Sequence, residues 1–320
     1  MIRERANCAG NLTVVLPNFN HGRYVGAAIS ILLSQLAEED ELIVYDDAST
    51  DDSVAQIDAA FYGHGAARLI RNETRLGVVA NLNRGLADAN GRYVYFAAAD
   101  DRVAPDFLMK SRSLLDRYPQ AGFCSALVRK IDSAGRDLGV IPTPIVTSDE
   151  GYLSSEKARK LLLETGDWAV GSATVYSCRP LREIGGFRPE LGSFCDGFAT
   201  QLLAVRHGAC FLPEPLAFWR QLDGGYAART VADISIATEI AECAVSLMGG
   251  RYRTDFAPGY AEKWRRRWLE SNRRAALRLR FGNLLGSCLG IPSFLRFRAG
   301  DVPRAVARRV SYLGRGLKFF

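Results

Sequence analysis

Carboxylates are the side chains best placed to do chemistry in this chain. The stretch "YVYFAAADDRVAPDF" (93–107) ends a strongly β-forming run in three alanines and then sets Asp100 beside Asp101. Neighbouring carboxylates repel and raise each other's pKa unless a cation or hydrogen-bond donors compensate. Either Asp101 caps a helix containing Phe107, Leu108, Leu114 and Leu115, or the pair faces a metal ion and an anionic ligand. "ELIVYDDAST" (41–50) likewise ends an apolar run in Asp46 and Asp47, and "LTVVLPNFN" (12–20) ends in Pro17, Asn18, Phe19 and Asn20. In "FCDGFATQLLAVRHG" (194–208) Asp196 stands near the start of a helical pattern, as a cap or as a reactive carboxylate.

These residues need elements to position them. "LTVVLP", "ELIVYD", "ARLIRN" and "GRYVYFAA" read as four strands, with helical patterns at 24–36, 51–62 and 77–91 between them. Strands alternating with helices predict a parallel sheet of βαβ units, whose ligands sit outside the carboxyl ends of the strands. Asn18, Asp46, Asp47, Asp100 and Asp101 all fall at such ends. After Pro119 the spacing predicts a hairpin turning at 133–135, a helix over 154–164, a strand "AVGSATVY" and the helix of Asp196. A returning strand, "CFLPEPLAFWR", follows, and the first 225 residues read as one continuous α/β domain. Residues 226–320 read as a helical, basic extension.

Composition narrows the classes. The 320 residues are 48% hydrophobic and 24% charged, ordinary for a globular protein with a sizeable core. The charged opening "MIRERANCAG" is not expected to be a signal peptide, and no apolar stretch is long enough to span a bilayer. Seven scattered cysteines, three histidines and no C-x-x-C argue against zinc and for reduced thiols in cytoplasm. Neither G-x-G-x-x-G nor a Walker loop is present. Without such a nest of amides, a nucleoside diphosphate at this acidic edge would need a divalent counter-ion.

Four blocks in order, "VVLPNFNHGRYVGAAISILLSQ", "ELIVYDDASTDDS", "ADDRVAPDFL" and "EIGGFRPELGSFCDGF", resemble the inverting family 2 glycosyltransferases over residues 11 to 221. The resemblance implies a GT-A-type, Rossmann-like, mostly parallel sheet flanked by helices. It implies a nucleotide-sugar donor, Mn²⁺ or Mg²⁺ on Asp101 with Asp100 beside it, and Asp100 against the donor's ribose. It places Asp47 on the base, with Asp46 in the same block, and Pro17, Asn18, Phe19 and Asn20 on the floor of the base pocket. Asp196 matches the general base. Ala98 and Arg188 stand where many members carry acids, and the Q-x-x-R-W signature of processive synthases is missing, so single addition is expected. A catalytically silent relative that binds a nucleotide or glycan and acts as an assembly partner is the alternative.

Charge is unevenly spread: residues 261–320 carry net +12 and the rest −6. Trp264 and Trp268 stand at helical spacing among arginines, and Val302, Val306, Val310, Leu313, Leu317 and Phe320 form a second apolar stripe. Such a pattern predicts either an anchor on an anionic membrane surface or a helical extension packed on the protein. Nucleic acid is not expected as a partner, since no known module for it is present. A peripheral position at the inner membrane face would suit a glycan or polyprenyl-linked acceptor.

Overall fold

The computed structural model describes residues 11–222 and 225–289. β1 (Leu12–Asn18), α1 (Gly22–Leu33), β2 (Glu41–Asp46), α2 (Ser53–Phe61), β3 (Ala67–Arg71), α3 (Val78–Asp88) and β4 (Tyr93–Phe96) alternate as expected. β1 lies parallel between β2 and β4, and β3 pairs with the far side of β2. Residues of β1, β2 and β4 are buried on both faces, which explains their unbroken apolar runs. Val14, Leu16, Leu42, Val44 and Tyr95 turn to the layer shared with Ile29 and Ile57 of α1 and α2. Val15, Ile43, Tyr45, Val94 and Phe96 turn to the opposite layer.

The second half mixes directions. After β5 (Arg102–Val103), α4 (Phe107–Arg117), β6 (Phe123–Ile131), β7 (Asp137–Val140), β8 (Gly151–Leu153) and α5 (Ser155–Glu164) come β9 (Thr174–Ser177), α6 (Cys178–Glu183), α7 (Cys195–His207) and β10 (Ala209–Arg220). The sheet order is β3-β2-β1-β4-β9-β6-β10-β5, with β7 on β6 and β8 on β10. β9 enters antiparallel between β4 and β6, while β6 and β10 are parallel. The hairpin at 133–135 forms as expected, closed by the Gly135 N–H donating to the Asp132 carbonyl. The strand expected from Ala169 is shorter: Gly171–Ala173 make a 3₁₀ turn, and extended pairing begins at Thr174.

Three helices close the described chain: α8 (Tyr226–Ala232), α9 (Ile234–Gly249) and α10 (Tyr260–Leu289). Trp264 is only 6% exposed, and its ring lies 4.6 Å from that of Phe194; the Trp268 ring lies 5.0 Å from Phe194. The Trp268 indole N–H donates to the Ala237 carbonyl at 2.8 Å. Both tryptophans therefore face protein, as the alternative of a helical extension packed on the protein expects. An amphipathic stripe specifies that an apolar partner exists and leaves open which one. The stripe from Val302 to Phe320 lies outside the described residues. Among the described residues no helix is long and apolar enough to cross a membrane.

Candidate active site

The carboxyl ends of β1 and β2 are stitched into one platform. Asp46 accepts from the Asn18 side-chain amide at 2.8 Å and from the Ser49 N–H at 3.1 Å. The Ser49 hydroxyl accepts the Asn20 backbone N–H at 2.9 Å, and the Asn20 side-chain Oδ1 accepts the Thr50 N–H at 2.8 Å. Asn20 (φ 55°) and Ala48 (φ 61°) both hold left-handed backbone, uncommon outside glycine. Strain of this kind persists where surrounding contacts over-determine it, and such places are commonly functional. Pro17 lies within β1, and Phe19 carries the Arg75 guanidinium 3.8 Å from its ring centre. The side-chain oxygen of Asn18 is buried and has no hydrogen-bond partner.

Asp47 is almost wholly buried, at 3% exposure. Its carboxylate accepts the N–H groups of Leu76 and Gly77, each at 2.8 Å, and the Asn72 amide at 2.9 Å. Burial works to raise its pKa, but hydrogen bonds from Leu76, Asn81, Asn72 and Gly77 outweigh that and hold it below the usual carboxylate range. Asp47 thus stays charged and ties the 72–77 loop to the strand ends. Sequence reasoning found this residue and missed its internal partners.

At the end of β4, Asp101 is 7% exposed and accepts the Arg220 backbone N–H at 2.8 Å. Burial foremost, and then the charge of Asp100, push its carboxyl well above the ordinary range; Arg220 offsets only part. Asp101 is not the cap of α4, a position that Asp106 occupies. Asp100 is half-buried beside it. Two adjacent carboxylates, one of them strained toward its neutral form, are a donor set that suits an ion completed by substrate phosphates. Among the described residues there is no cluster of three or more metal-ligating side chains, so such an ion would draw its remaining ligands from elsewhere.

Arg220 was legible only as a strand-end residue near Trp219. It is 4% exposed, and its guanidinium donates to the carbonyls of Asp100 (2.7 Å), Asp132 (2.9 Å) and Ser133 (3.3 Å) while lying over the Tyr24 ring. It is a buried crosslink that fixes the Asp100–Asp101 corner to the β6–β7 hairpin.

Asp196 sits in the first turn of α7, two residues past the cap position held by Phe194. It is no N-cap; its Oδ1 accepts the N–H of Gly197 at 2.7 Å. Burial raises its carboxyl, and the N–H groups of Gly197 and Asp196 offset this in part. The 3₁₀ turn at 171–173 makes room for it, and the Tyr95 hydroxyl donates to the Ser172 carbonyl at 2.9 Å. Burial and then the charge of Asp101 raise that hydroxyl's pKa. Tyr95 therefore links the β4 corner to the turn against which Asp196 rests. Arg188 donates to the Ile184 carbonyl and the Tyr252 hydroxyl, a packing role.

A family model described as glycosyl transferase family 2 matches residues 13–185, more than half of the chain. The chain belongs to glycosyl transferase family 2. An uncharacterized protein of Mycobacterium tuberculosis is 29% identical over 226 residues, covering 69% of this chain and 70% of its own. Glycosyltransferase GlyG of Streptococcus pneumoniae is 30% identical over 97 residues, 30% of this chain and 32% of that protein. Among solved structures, the mannosyltransferase PcManGT of Pyrobaculum calidifontis, in complex with GDP-Man and Mn²⁺, matches 95% of this chain and 80% of its own at 18% identity and a TM-score of 0.58. S. aureus TarS 1–349 with UDP-GlcNAc covers 74% and 66% at 17% identity and a TM-score of 0.57. At such identities the likeness establishes the GT-A fold.

Proposed function

We propose that this family 2 member moves a sugar, with inversion, from a nucleoside diphosphate sugar to a hydroxyl of a glycan or lipid-linked acceptor. What carries the reading is the Tyr95 link, which joins the Asp100–Asp101 corner to the turn holding Asp196. The platform of Pro17, Asn18, Phe19, Asn20, Asp46 and Asp47 takes the nucleoside, and the unpaired Asn18 oxygen offers it an acceptor. Asp100 and Asp101 hold Mn²⁺ or Mg²⁺, which when bound neutralises the charge gathering on the leaving diphosphate. Asp196 takes the proton of the acceptor hydroxyl as that oxygen attacks the anomeric carbon from the face opposite the leaving group. Its raised carboxyl makes it a stronger base than an exposed aspartate.

The basic segment 261–320 supports an anionic surface as partner through its net charge of +12, no longer through its tryptophans. A lipid-linked acceptor used in envelope or surface polysaccharide assembly, met at the inner membrane face, is consistent with that charge.

The test is release of nucleoside diphosphate from UDP-GlcNAc and GDP-mannose, with and without Mn²⁺, by wild type and Asp196→Asn. Mn²⁺-dependent release that falls on the order of 10²–10⁴-fold in the variant is expected. Donor binding without any release, by wild type, would favour the silent-relative reading.

A further inference from the structure

β10 ends on Arg220, and the pairing on its two sides decides what that residue meets. In the antiparallel pair with β5, Phe218 stands opposite Arg102, which brings Arg220 opposite Asp100. On the other side β10 runs parallel to β6, with Arg220 in register with Ile131, just before the hairpin tip. The main-chain N–H of Arg220 donates to Asp101 Oδ1 at 2.8 Å, and among the described residues no hydrogen bond reaches Asp101 Oδ2. Nε of Arg220 donates to the Asp100 carbonyl at 2.7 Å, and Nη1 donates to the carbonyls of Asp132 and Ser133 at 2.9 and 3.3 Å. The guanidinium lies 4.6 Å from the centre of the Tyr24 ring, and the Tyr24 hydroxyl donates to the same Ser133 carbonyl at 3.3 Å. One side chain, 4% exposed, thus ties α1 and the β6–β7 hairpin to both acids of the corner.

A buried guanidinium is a costly crosslink. Its hydrogen bonds go to neutral carbonyls, and among the described residues it has no ion pair with a carboxylate. Burying a charge without an opposite one is unfavourable, so a neutral side chain would serve better if stability were the only demand. What arginine adds is a rigid planar fork, which holds several acceptors in fixed directions where a lysine ammonium cannot. We propose that Arg220 is the positioning residue of the Asp100–Asp101 corner. Its N–H occupies Asp101 Oδ1 and so reserves Oδ2 for a divalent cation, and its fork sets the main chain at Asp100 against the hairpin tip. The inference rests on the corner being the cation site proposed above. Arg220 acts through the two aspartates and touches neither the ion nor the donor. Small cations demand near-ideal ligand geometry, and groups that orient a ligand from behind govern affinity nearly as strongly as the ligand itself.

The experiment titrates Mn²⁺ alone into the full chain and reads free Mn²⁺ by electron paramagnetic resonance, in wild type, Arg220→Lys, Arg206→Lys and Asp101→Asn. Arg220→Lys keeps the charge and the main-chain N–H but loses the fork, and Mn²⁺ affinity should fall by about 10–100-fold. In turnover on the donors named above, that variant should need more Mn²⁺ for half-maximal rate and keep most of its rate at saturating Mn²⁺. Arg206→Lys loosens the 2.8 Å ion pair with Asp255, elsewhere in the fold. It should lower the melting temperature and leave Mn²⁺ affinity unchanged. Unchanged affinity in Arg220→Lys overturns the inference, and so does an equal loss in Arg206→Lys, which would trace the effect to stability. Should Arg220→Lys not fold, Tyr24→Leu decides in its place: removing the ring beside the guanidinium should weaken Mn²⁺ binding by a smaller factor, and unchanged affinity overturns the inference. Asp101→Asn reads the cation site separately. If it binds Mn²⁺ as wild type does, the cation site falls and this inference with it; if it loses Mn²⁺ while Arg220→Lys keeps it, only this inference falls.

Discussion

The carboxylate of Asp196 occupies the space where a side chain on Gly171 would stand: a Cβ built there would lie 2.0 Å from Asp196 Oδ2. Asp196 Cγ and Cβ would stand 3.1 and 3.5 Å from the same point, so relief requires the carboxylate to rotate away. Gly171→Ala should therefore push Asp196 off its turn, leave donor binding intact and lower turnover on the order of 10²-fold. Steady-state kinetics with donor affinity measured alongside checks this. Wild-type turnover in the alanine variant would show that the base does not need that position.

Asp101 must ionise to hold a cation, and its surroundings oppose ionisation. Mn²⁺ binding should then displace a proton and tighten as pH rises. Calorimetry with Mn²⁺ at about pH 6 and about pH 8, in buffers of different ionisation enthalpy, should show proton release. Asp101→Asn should lose the release and most of the affinity. The same Mn²⁺ affinity in that variant would remove Asp101 from the metal site.

Asp167 gives stability a definite sign with pH. Its carboxyl binds its proton more tightly in the fold than in the unfolded chain, rising from 3.8 to about 6. Across that window the folded state holds more protons, so stability falls as pH rises and the loss is complete above it. Asp167→Asn should raise the melting temperature relative to wild type at about pH 7.5 and give no gain at about pH 3.5. Equal differences at the two pH values would mean that Asp167 is not strained by its charge.

Asp47→Asn leaves the N–H groups of Leu76 and Gly77 short of a charged acceptor. Removing a charge-assisted partner from buried donors costs about 1–3 kcal/mol. Lower thermal stability and faster amide exchange at residues 72–77 are expected. Unchanged exchange there would show that the loop is held by other contacts.

The tail separates into two measurable roles. Trp264→Ala should destabilise the fold by about 3–5 kcal/mol, as for other buried tryptophans, since its ring lies against Phe194 and Trp268. Reversing the exposed Arg266 and Arg273 to glutamate should leave melting unchanged and weaken sedimentation with anionic vesicles. Equal sedimentation would rule out an anionic surface as the partner of this face.

Much of the fold was legible because fully buried parallel strands write themselves as apolar runs, and acids at their ends stand out. The 171–173 turn was not legible: "AVGSATVY" is strand-like throughout, and only the approach of Asp196 from another helix makes Gly171 a bend. Asp167, Gln201 and Tyr260 were missed for a related reason. Each is an isolated polar residue, and their hydrogen bonds join positions 34 and 59 residues apart, beyond any local pattern. Trp264 and Trp268 were visible as a stripe whose partner no periodicity could name.

Translation order gives the packing of α10 a further meaning. The strands β1 to β10 leave the ribosome first, at a pace of roughly 5–20 residues each second, and their pairing does not involve α10. Phe194 lacks its tryptophan partners, and Gln201 Oε1 and the α5 carbonyls lack their donors, until Tyr260 through Trp268 emerge. On the proposed reading, a nascent chain would complete the platform of Asp46 and Asp47 before the segment of Asp196 gains its α10 contacts, and turnover would come last.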